Sequence, residues 1–252
     1  IPVKTKNVTW NSSLVLAHNK NLVKSLSNER FQMPYRYIGN VGNHGQSGMN
    51  SQILEEGKPL GTFYTWIYKG KDENDQSQYL AADSVSLTIS PTPNDRHYRG
   101  NAQPKFTGGW HNTITYKNWS LDLLFKGVTG NKIMNVTLSN LVYPAEAVHY
   151  NQHSLVLKDA QIDWNGANTS TRYLEKGDYL RLDNITLSYS FKFKNPLIKG
   201  VRVYSTVNNA FVITDYRGCD PDVNLGGITP GIDDDSYYPK TRSFIFGLDV
   251  DF

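Results

Sequence analysis

Residues 243–252 read SFIFGLDVDF, and their alternation constrains this chain more than any other stretch. Phe244, Phe246, Leu248, Val250 and Phe252 share one parity; Ile245, Gly247, Asp249 and Asp251 share the other. A strand sends successive side chains to opposite faces. One face is therefore wholly apolar, and the other carries two carboxylates and a glycine. Chain ends of soluble domains are usually frayed and wet, so the most apolar strand is rarely left at a free terminus. A strand that closes a membrane barrel needs this division, with lipid on one side and a polar lumen on the other.

The same split recurs upstream. In 183–193, Ile185, Leu187, Tyr189, Phe191 and Phe193 oppose Asn184, Thr186, Ser188, Ser190 and Lys192 without a defect. Trp119, Leu121, Leu123 and Phe125 alternate with Ser120, Asp122, Leu124 and Lys126. Val8, Trp10, Leu14 and Leu16 alternate with Thr9, Asn11, Ser13 and Val15, and 201–214 is a further β run. Two more runs complete a set of about seven strands: 106–117, whose pattern breaks at Asn112, and 60–69, almost continuously apolar and aromatic.

Composition by itself favours a soluble β domain. Hydrophobic residues make up 38% of the 252 residues, and there is no run of about 18 apolar residues of the kind a transmembrane helix needs. Alternating barrel strands, however, also average to a polar composition. Sixteen Tyr, ten Phe and five Trp would furnish aromatic girdles at two membrane interfaces, or the core of a sandwich. A net charge of +3 is too small to indicate a nucleic-acid partner. The single cysteine, Cys219, excludes an internal disulfide and reads as a small loop residue. No secretory signal opens the chain, and its start at Ile1-Pro2-Val3 reads as that of a fragment or a processed chain.

Loop rhythm decides between the two classes. Lys117-Asn118 reads as a two-residue hairpin turn with Asn taking the positive φ, and 195–200 as a short turn around Pro196. Between them lie the long stretches 70–104, 127–178 and 215–241, expected to be irregular. Such a short-long rhythm belongs to outer-membrane barrels, with tight periplasmic turns and long external loops. If Phe252 ends at the periplasm and 60–69 crosses the membrane, all three long stretches fall outside. Residues 18–59 then fall either into a long periplasmic connection or into an extra strand pair. The glycine-rich GNVGNHGQSG of 39–48 favours irregular backbone there.

Four stretches resemble a known family. EEGKPLGTFYTWIYKGKDENDQSQYL (55–80), DRHYRGNAQPKFTGGWHNTITYKNWSLDLLFKGVTGNKIMN (95–135), YLEKGDYLRLDNITLSYSF (173–191) and YYPKTRSFIFGLDVDF (237–252) are similar to the C-terminal barrel portion of SusC/RagA-type TonB-dependent outer-membrane transporters of Bacteroidetes-like bacteria. They occur in the family's order. The resemblance implies an all-β, antiparallel transmembrane barrel of about 22 strands, with residues 1–252 supplying roughly the last third. The plug domain and early strands would lie elsewhere. It also implies energised import of an oligosaccharide or peptide across the bacterial outer membrane. The implied partners are the rest of the barrel and plug, a SusD-like surface lipoprotein, TonB acting through the plug, and outer-membrane lipid. Leu248, Val250 and Phe252 resemble the terminal signal read by barrel-assembly machinery. The competing readings are a soluble glycan-binding β-sandwich and a passive porin.

No catalytic centre, cofactor site or metal site is expected. Asp233, Asp234 and Asp235, with Asp220 and Asp222 nearby, do not follow a calcium-loop spacing and read as a solvated acidic loop. His149 and His153 stand four apart, but in a loop. No nucleophile elbow surrounds any serine. Candidate ligand contacts are the loop aromatics Trp164, Tyr216, Tyr237 and Tyr238, which could stack on sugar rings or simply pack the loops. Asn184, Thr186 and Ser188 are candidates on the lumen face.

Overall fold

The structure, a computed structural model, describes residues 1–42, 48–149, 151–160, 169–194, 197–223, 227–234 and 238–252. Its principal element is a seven-stranded antiparallel sheet: β1 (Val3–Lys4), β2 (Val8–Ala17), β3 (Phe106–Tyr116), β4 (Trp119–Thr129), β5 (Tyr179–Lys192), β6 (Gly200–Thr214) and β7 (Ser243–Asp251), paired in that order. The sheet is open, with β1 and β7 at its edges.

Register confirms the faces that alternation implies. Across β2 to β7, Trp10, Ile114, Leu121, Leu187, Ser205 and Phe246 lie side by side. One residue along, Asn11, Thr113, Asp122, Thr186, Thr206 and Ile245 form the matching row on the other face. The first face is exposed: Leu14, Leu16, Leu187, Phe244, Phe246 and Leu248 are each at least 45% accessible. A sandwich would bury these residues against a second sheet. Here the apolar face is exposed, the arrangement a membrane wall requires.

The pattern break at Asn112 has a local answer. Ser12 and Asn112 are cross-strand neighbours on the apolar face. The Trp10 indole N–H donates to Asn112 Oδ1 at 3.0 Å, and the Trp110 indole N–H donates to Ser12 Oγ at 2.9 Å. Each polar defect is thus covered by a tryptophan one rung away, which offsets the cost of a polar group in lipid. Further aromatic pairs cluster toward one end of this face, with Trp119 against Tyr189 (4.8 Å) and Tyr189 against Phe191 (4.6 Å). Trp110 stacks on Phe125 (5.3 Å) toward the other end. These positions suit interfacial girdles. On the polar face Tyr204 crosses to β7, where its ring occupies the space a side chain at Gly247 would need.

The Lys117-Asn118 turn is tight as expected, but the residue with positive φ is Lys117 (+52°), not Asn118. A two-residue hairpin of the II′ kind places the left-handed residue first.

Three corrections concern the connections. First, the run at 60–69 is not a wall strand; it divides into Thr62–Trp66 and Tyr68–Lys71, which belong to two other sheets. The seventh wall strand is instead the short β1. Second, β2 pairs directly with β3, Ala17 opposite Thr107, so residues 18–105 form one excursion. It leaves from the same end of the sheet as 130–178 and 215–242. Residues 18–59 therefore lie with the other long segments and not at the opposite end. The expectation erred because it counted 60–69 as a crossing, which reversed the direction of everything before it.

Third, the long segments are only partly irregular, although among its described residues 215–242 contributes no more than Ile232–Asp233. Tyr35–Asn40, Asn50–Glu55, Thr62–Trp66 and Arg96–Asn101 make a four-stranded sheet. Tyr68–Lys71, Ser77–Leu80 and Leu87–Thr88 make another sheet, and Leu174–Lys176, Lys132–Asn135 and Ile232–Asp233 a third. In the last, Lys132–Asn135 and Ile232–Asp233 run parallel. A helix, Val136–Leu141, starts at Asn135, whose side chain accepts from the Leu138 amide. The three segments interlock: Gln52 Nε2 donates to the Pro230 carbonyl (2.6 Å), and the Thr65 hydroxyl donates to the Thr169 carbonyl.

This cap holds the hydrophobic core. Phe63, Met134, Val136, Leu138, Val142 and Tyr173 bury together with several neighbours, while among the described wall residues Leu182 is the one fully buried apolar side chain. A wall one strand thick between lipid and lumen has no interior, so buried apolar packing can arise only above it.

Candidate functional site

The polar face of the wall carries a hydrogen-bonded ladder. Asn184 Nδ2 donates to Asn208 Oδ1 (2.8 Å), and Asn208 Nδ2 donates to Ser243 Oγ (3.1 Å). The Thr186 and Thr206 hydroxyls lie 2.8 Å apart. Thr113 Oγ1 donates to Asp122 Oδ1 at 2.6 Å, and His111 Nε2 lies 3.6 Å from the same oxygen. Ser188 is 2% exposed, beside Tyr204. Such cross-strand pairs fix the strands to one another and present a wet, largely neutral surface.

Near the cap end of β5 the ladder changes register. A β-bulge between Leu182 and Asn184 leaves Asp183 unpaired, opposite the doubled Asn209 and Ala210 of β6. A bulge re-aims the strand beyond it. Above this bulge the parity reverses, so Leu180 and Leu182 join the apolar face, while Arg181 joins Lys126 on the polar one. Lys126 Nζ then lies 2.5 Å from Asp183 Oδ2.

Arg181 is 1% exposed by its side chain and pairs with Asp220, itself 4% exposed, at 2.5 Å. Arg181 also donates to Asn209 Oδ1. Asp220 further accepts from the Asp222 amide (2.9 Å) and the Lys240 amide (3.4 Å). Asn209, at φ +50°, donates from Nδ2 to the Lys240 carbonyl at 2.9 Å. These bonds moor the 215–242 segment to the wall. Between them lies a cleft of about 470 Å³ lined by Asp183, Asn208, Asn209, Tyr238 and Lys240. It combines amide, carboxylate, ammonium and one aromatic side chain, the set that suits a polar cargo with some apolar surface.

The acidic group of the same segment is not the solvated loop expected of it. Besides Asp220, Asp233 is 4% exposed. Its carboxylate accepts from the Tyr216 hydroxyl and from Thr137 Oγ1 (3.1 Å). Burial pushes the Asp233 carboxyl above the ordinary carboxylate range, and burial followed by the Asp233 charge pushes the Tyr216 phenol up. Asp235 lies outside the described residues. Among the described residues no group of three or more His, Cys, Asp or Glu could hold a metal ion. His153 Nδ1 accepts from the Leu155 amide (3.0 Å).

The candidate ligand contacts separate. Asn184 and Thr186 line the polar face, and Ser188 is on that face but covered. Tyr238 is 80% exposed at the cleft. Tyr216 is 6% exposed and packs with Ile133 and Val223, so its ring serves the cap core. Trp164 and Tyr237 lie outside the described residues. Leu248 and Val250 stand on the apolar face toward the C-terminal end of β7, and Phe252 follows the strand, where Lys199 Nζ donates to the Phe252 carbonyl at 2.9 Å. Sequence reasoning missed Arg181, Asn209 and Lys240. The available signal was in YLRLD, where an arginine and an aspartate interrupt an apolar run just before the alternation resumes.

No family model matches the chain. Curated relatives do. The chain is 29% identical over 290 residues to the TonB-dependent receptor P3 of Formosa agariphila, covering 99% of the chain and 27% of that protein. It is 25% identical over 262 residues to the TonB-dependent receptor SusC of Bacteroides thetaiotaomicron, covering 100% of the chain and 25% of the receptor. Among solved structures, the RagAB peptide transporter matches 98% of the chain with a TM-score of 0.81 at 20% identity, over 28% of its own chain. The RagAB peptide importer in its open-open state matches with a TM-score of 0.77. The chain thus spans about a quarter of the length of these curated relatives, which are receptors and not enzymes. In sequence over its whole length the chain is similar to a segment of TonB-dependent receptors, SusC among them, which are proteins of the bacterial outer membrane, and in fold it is similar to a segment of RagAB.

Proposed function

We propose that residues 1–252 form the C-terminal part of the barrel of a TonB-coupled importer, which carries an oligosaccharide or a peptide across the outer membrane beneath a SusD-like lipoprotein lid. The observation that supports this most is the two-faced open sheet. One face is apolar and exposed, the other is mostly polar with cross-strand hydrogen bonds, and both edges await further strands, because an unpaired edge in lipid is costly. The remaining strands and the plug would complete the wall and receive the pull of TonB. The cap's polar cleft, with Asn184, Thr186 and Tyr238 along its approach, would meet the cargo. Trp164, Tyr216 and Tyr237 remain assigned to the same loops, Tyr216 as a support and not a contact.

Uptake tests this reading. Cells expressing the full-length protein should accumulate a labelled oligosaccharide or a labelled peptide, and should cease to do so when a protonophore collapses the proton-motive force. Uptake that persists unchanged with the protonophore would mean a passive pore. Accumulation of one label and not the other decides the cargo class.

The terminal strand has a separate assignment. Leu248, Val250 and Phe252 are proposed as the signal for barrel assembly. Deleting Phe252 should lower the amount of heat-modifiable, folded protein in the outer-membrane fraction several-fold. Uptake per assembled molecule should stay the same. Wild-type amounts of folded protein would refute this role.

A further inference from the structure

The four-stranded cap sheet turns one face to the cap core through Phe63 and Gln52, both fully buried. Its other face carries a row of tyrosines. Tyr37 lies opposite Ile53, Ile53 opposite Thr62, and Tyr64 opposite Tyr98, so Tyr35, Tyr37, Tyr64 and Tyr98 share that face. Ring centroids step along the row by 5.3, 6.1 and 4.9 Å, and the Tyr37 and Tyr64 rings are stacked within 7° of parallel. Tyr35 and Tyr98, at the two ends, are 48% and 46% exposed. Such a row is a stacking surface, open at both ends.

Arg96 stands on the same face, opposite Trp66. Its guanidinium lies over the Trp66 ring at 4.2 Å and over the Tyr37 ring at 5.0 Å. The residue is 8% exposed, yet among the described residues its side chain makes no ion pair and no hydrogen bond. Of its nitrogens only Nε is both fully buried and unbonded, so the unbonded Nη pair is what reaches the surface. The rings attract the charge but supply no acceptor to its N–H groups. Burial pushes the guanidinium down, and Tyr37 and Tyr64 offset this only in part. The nearby carboxylates are engaged elsewhere: Asp95 accepts from Thr92 and from the Ala82 amide, and Glu55 accepts from the Tyr98 hydroxyl. A second cation, Lys58, holds Nζ 4.3 Å over the Tyr98 ring. A buried arginine is ordinarily paired, because unmet donors in a dry site are costly.

We infer that this face of the cap binds an acidic oligosaccharide, its sugar rings lying on the tyrosine row and a uronic-acid carboxylate pairing with Arg96. Charge complementarity selects the acid: the fixed fork of a guanidinium matches the two oxygens of a carboxylate, the smallest anion a sugar carries, and Arg96 leaves little room for a larger one. The tyrosine row selects the sugar, whose apolar C–H faces suit aromatic rings. A mostly aromatic surface with one placed charge is the usual composition of a specific ligand site. The inference names the cargo class and rests on the import reading only in calling the ligand cargo; binding itself needs neither TonB nor the rest of the transport cycle.

Calorimetric titration of the intact full-length protein in mild detergent tests the site. The probes are short oligosaccharides of galacturonate, mannuronate, guluronate and glucuronate, each beside its carboxyl-reduced, neutral counterpart, with a sulfated oligosaccharide and a glutamate-rich peptide as rivals. At least one uronate should bind roughly tenfold or more tighter than its own reduced form. Arg96→Gln should remove that preference while the reduced form binds as before. Tyr35→Ala/Tyr98→Ala, at the two half-exposed rings, should weaken acid and reduced forms alike. Heat-modifiability checks that each variant is folded. Binding of no uronate overturns the inference, as does equal binding of every acid and its reduced form, or a preference that survives in folded Arg96→Gln protein. Tighter binding of the sulfated sugar or of the peptide overturns it as well. The titration involves no proton-motive force, so its failure leaves the import reading standing, and protonophore-insensitive uptake would sink that reading while leaving this site intact.

Discussion

Replacing Asp220 with alanine is expected to loosen the 215–242 segment by about 3–5 kcal/mol, the cost of stranding a buried charge. Arg181 has a side chain 1% exposed, and its carboxylate partner is Asp220 at 2.5 Å. Without that carboxylate the guanidinium keeps Asn209 as a partner but loses its counter-charge. The Asp222 and Lys240 amides lose their acceptor at the same time. The consequence should be local, because the wall ladders on both sides do not depend on Asp220. Hydrogen exchange on the intact protein reads it directly. Amides of 215–242 should exchange roughly a hundredfold to several thousandfold faster, since each 1.4 kcal/mol is a factor of about ten, while those of β4 and β5 keep their protection. Exchange unchanged in 215–242 would show that the pair does not moor the loop. Replacing both members, Arg181→Met with Asp220→Leu, should recover much of the loss, because apolar residues of similar volume leave no stranded charge.

The second large effect is expected at Leu187. It sits in mid-strand on the apolar face between Leu121 and Ser205, 45% exposed. Leu187→Arg should destabilise the folded barrel by about 2–4 kcal/mol, the usual cost of an arginine near the bilayer midplane. Asn11→Arg is the matched control, since Asn11 is exposed on the polar face opposite Thr113. Urea titration of the full-length protein refolded into phospholipid vesicles compares the two. A larger loss for Asn11→Arg would mean that lipid and lumen have been assigned to the wrong faces.

Both predictions depend on parity, and parity was legible only in part. The run from Asp183 to Phe193 gave Asn184, Thr186 and Ser188 their face correctly. It could not give Arg181 its own, because the bulge at Asp183 reverses the alternation and is visible only once β5 is laid against β6. The same limit explains the acidic residues. Asp220 and Asp233 lie in a polar, proline- and glycine-bearing stretch that reads as solvated. Their partners, Arg181, Tyr216 and Thr137, are 39, 17 and 96 residues away. No local pattern announces a bond across such a span.

What the amino-acid sequence determined by itself is the two-faced character of each wall strand, and with it the class of protein. That property has a period of two residues and needs no distant contact to be expressed. The tertiary structure alone decided which strand lies beside which and what the long segments do. β2 must close on β3 across residues 18–105, and the ladder that rewards this closure forms only after the chain entropy of the excursion has been spent. The excursion is tolerable because it does not stay loose: it folds with 130–178 and 215–242 into a cap around Phe63, Met134 and Tyr173. Burial is a property of that assembled cap. A residue such as Tyr216 becomes core or contact surface according to the segments that arrive around it, and not according to its neighbours in sequence.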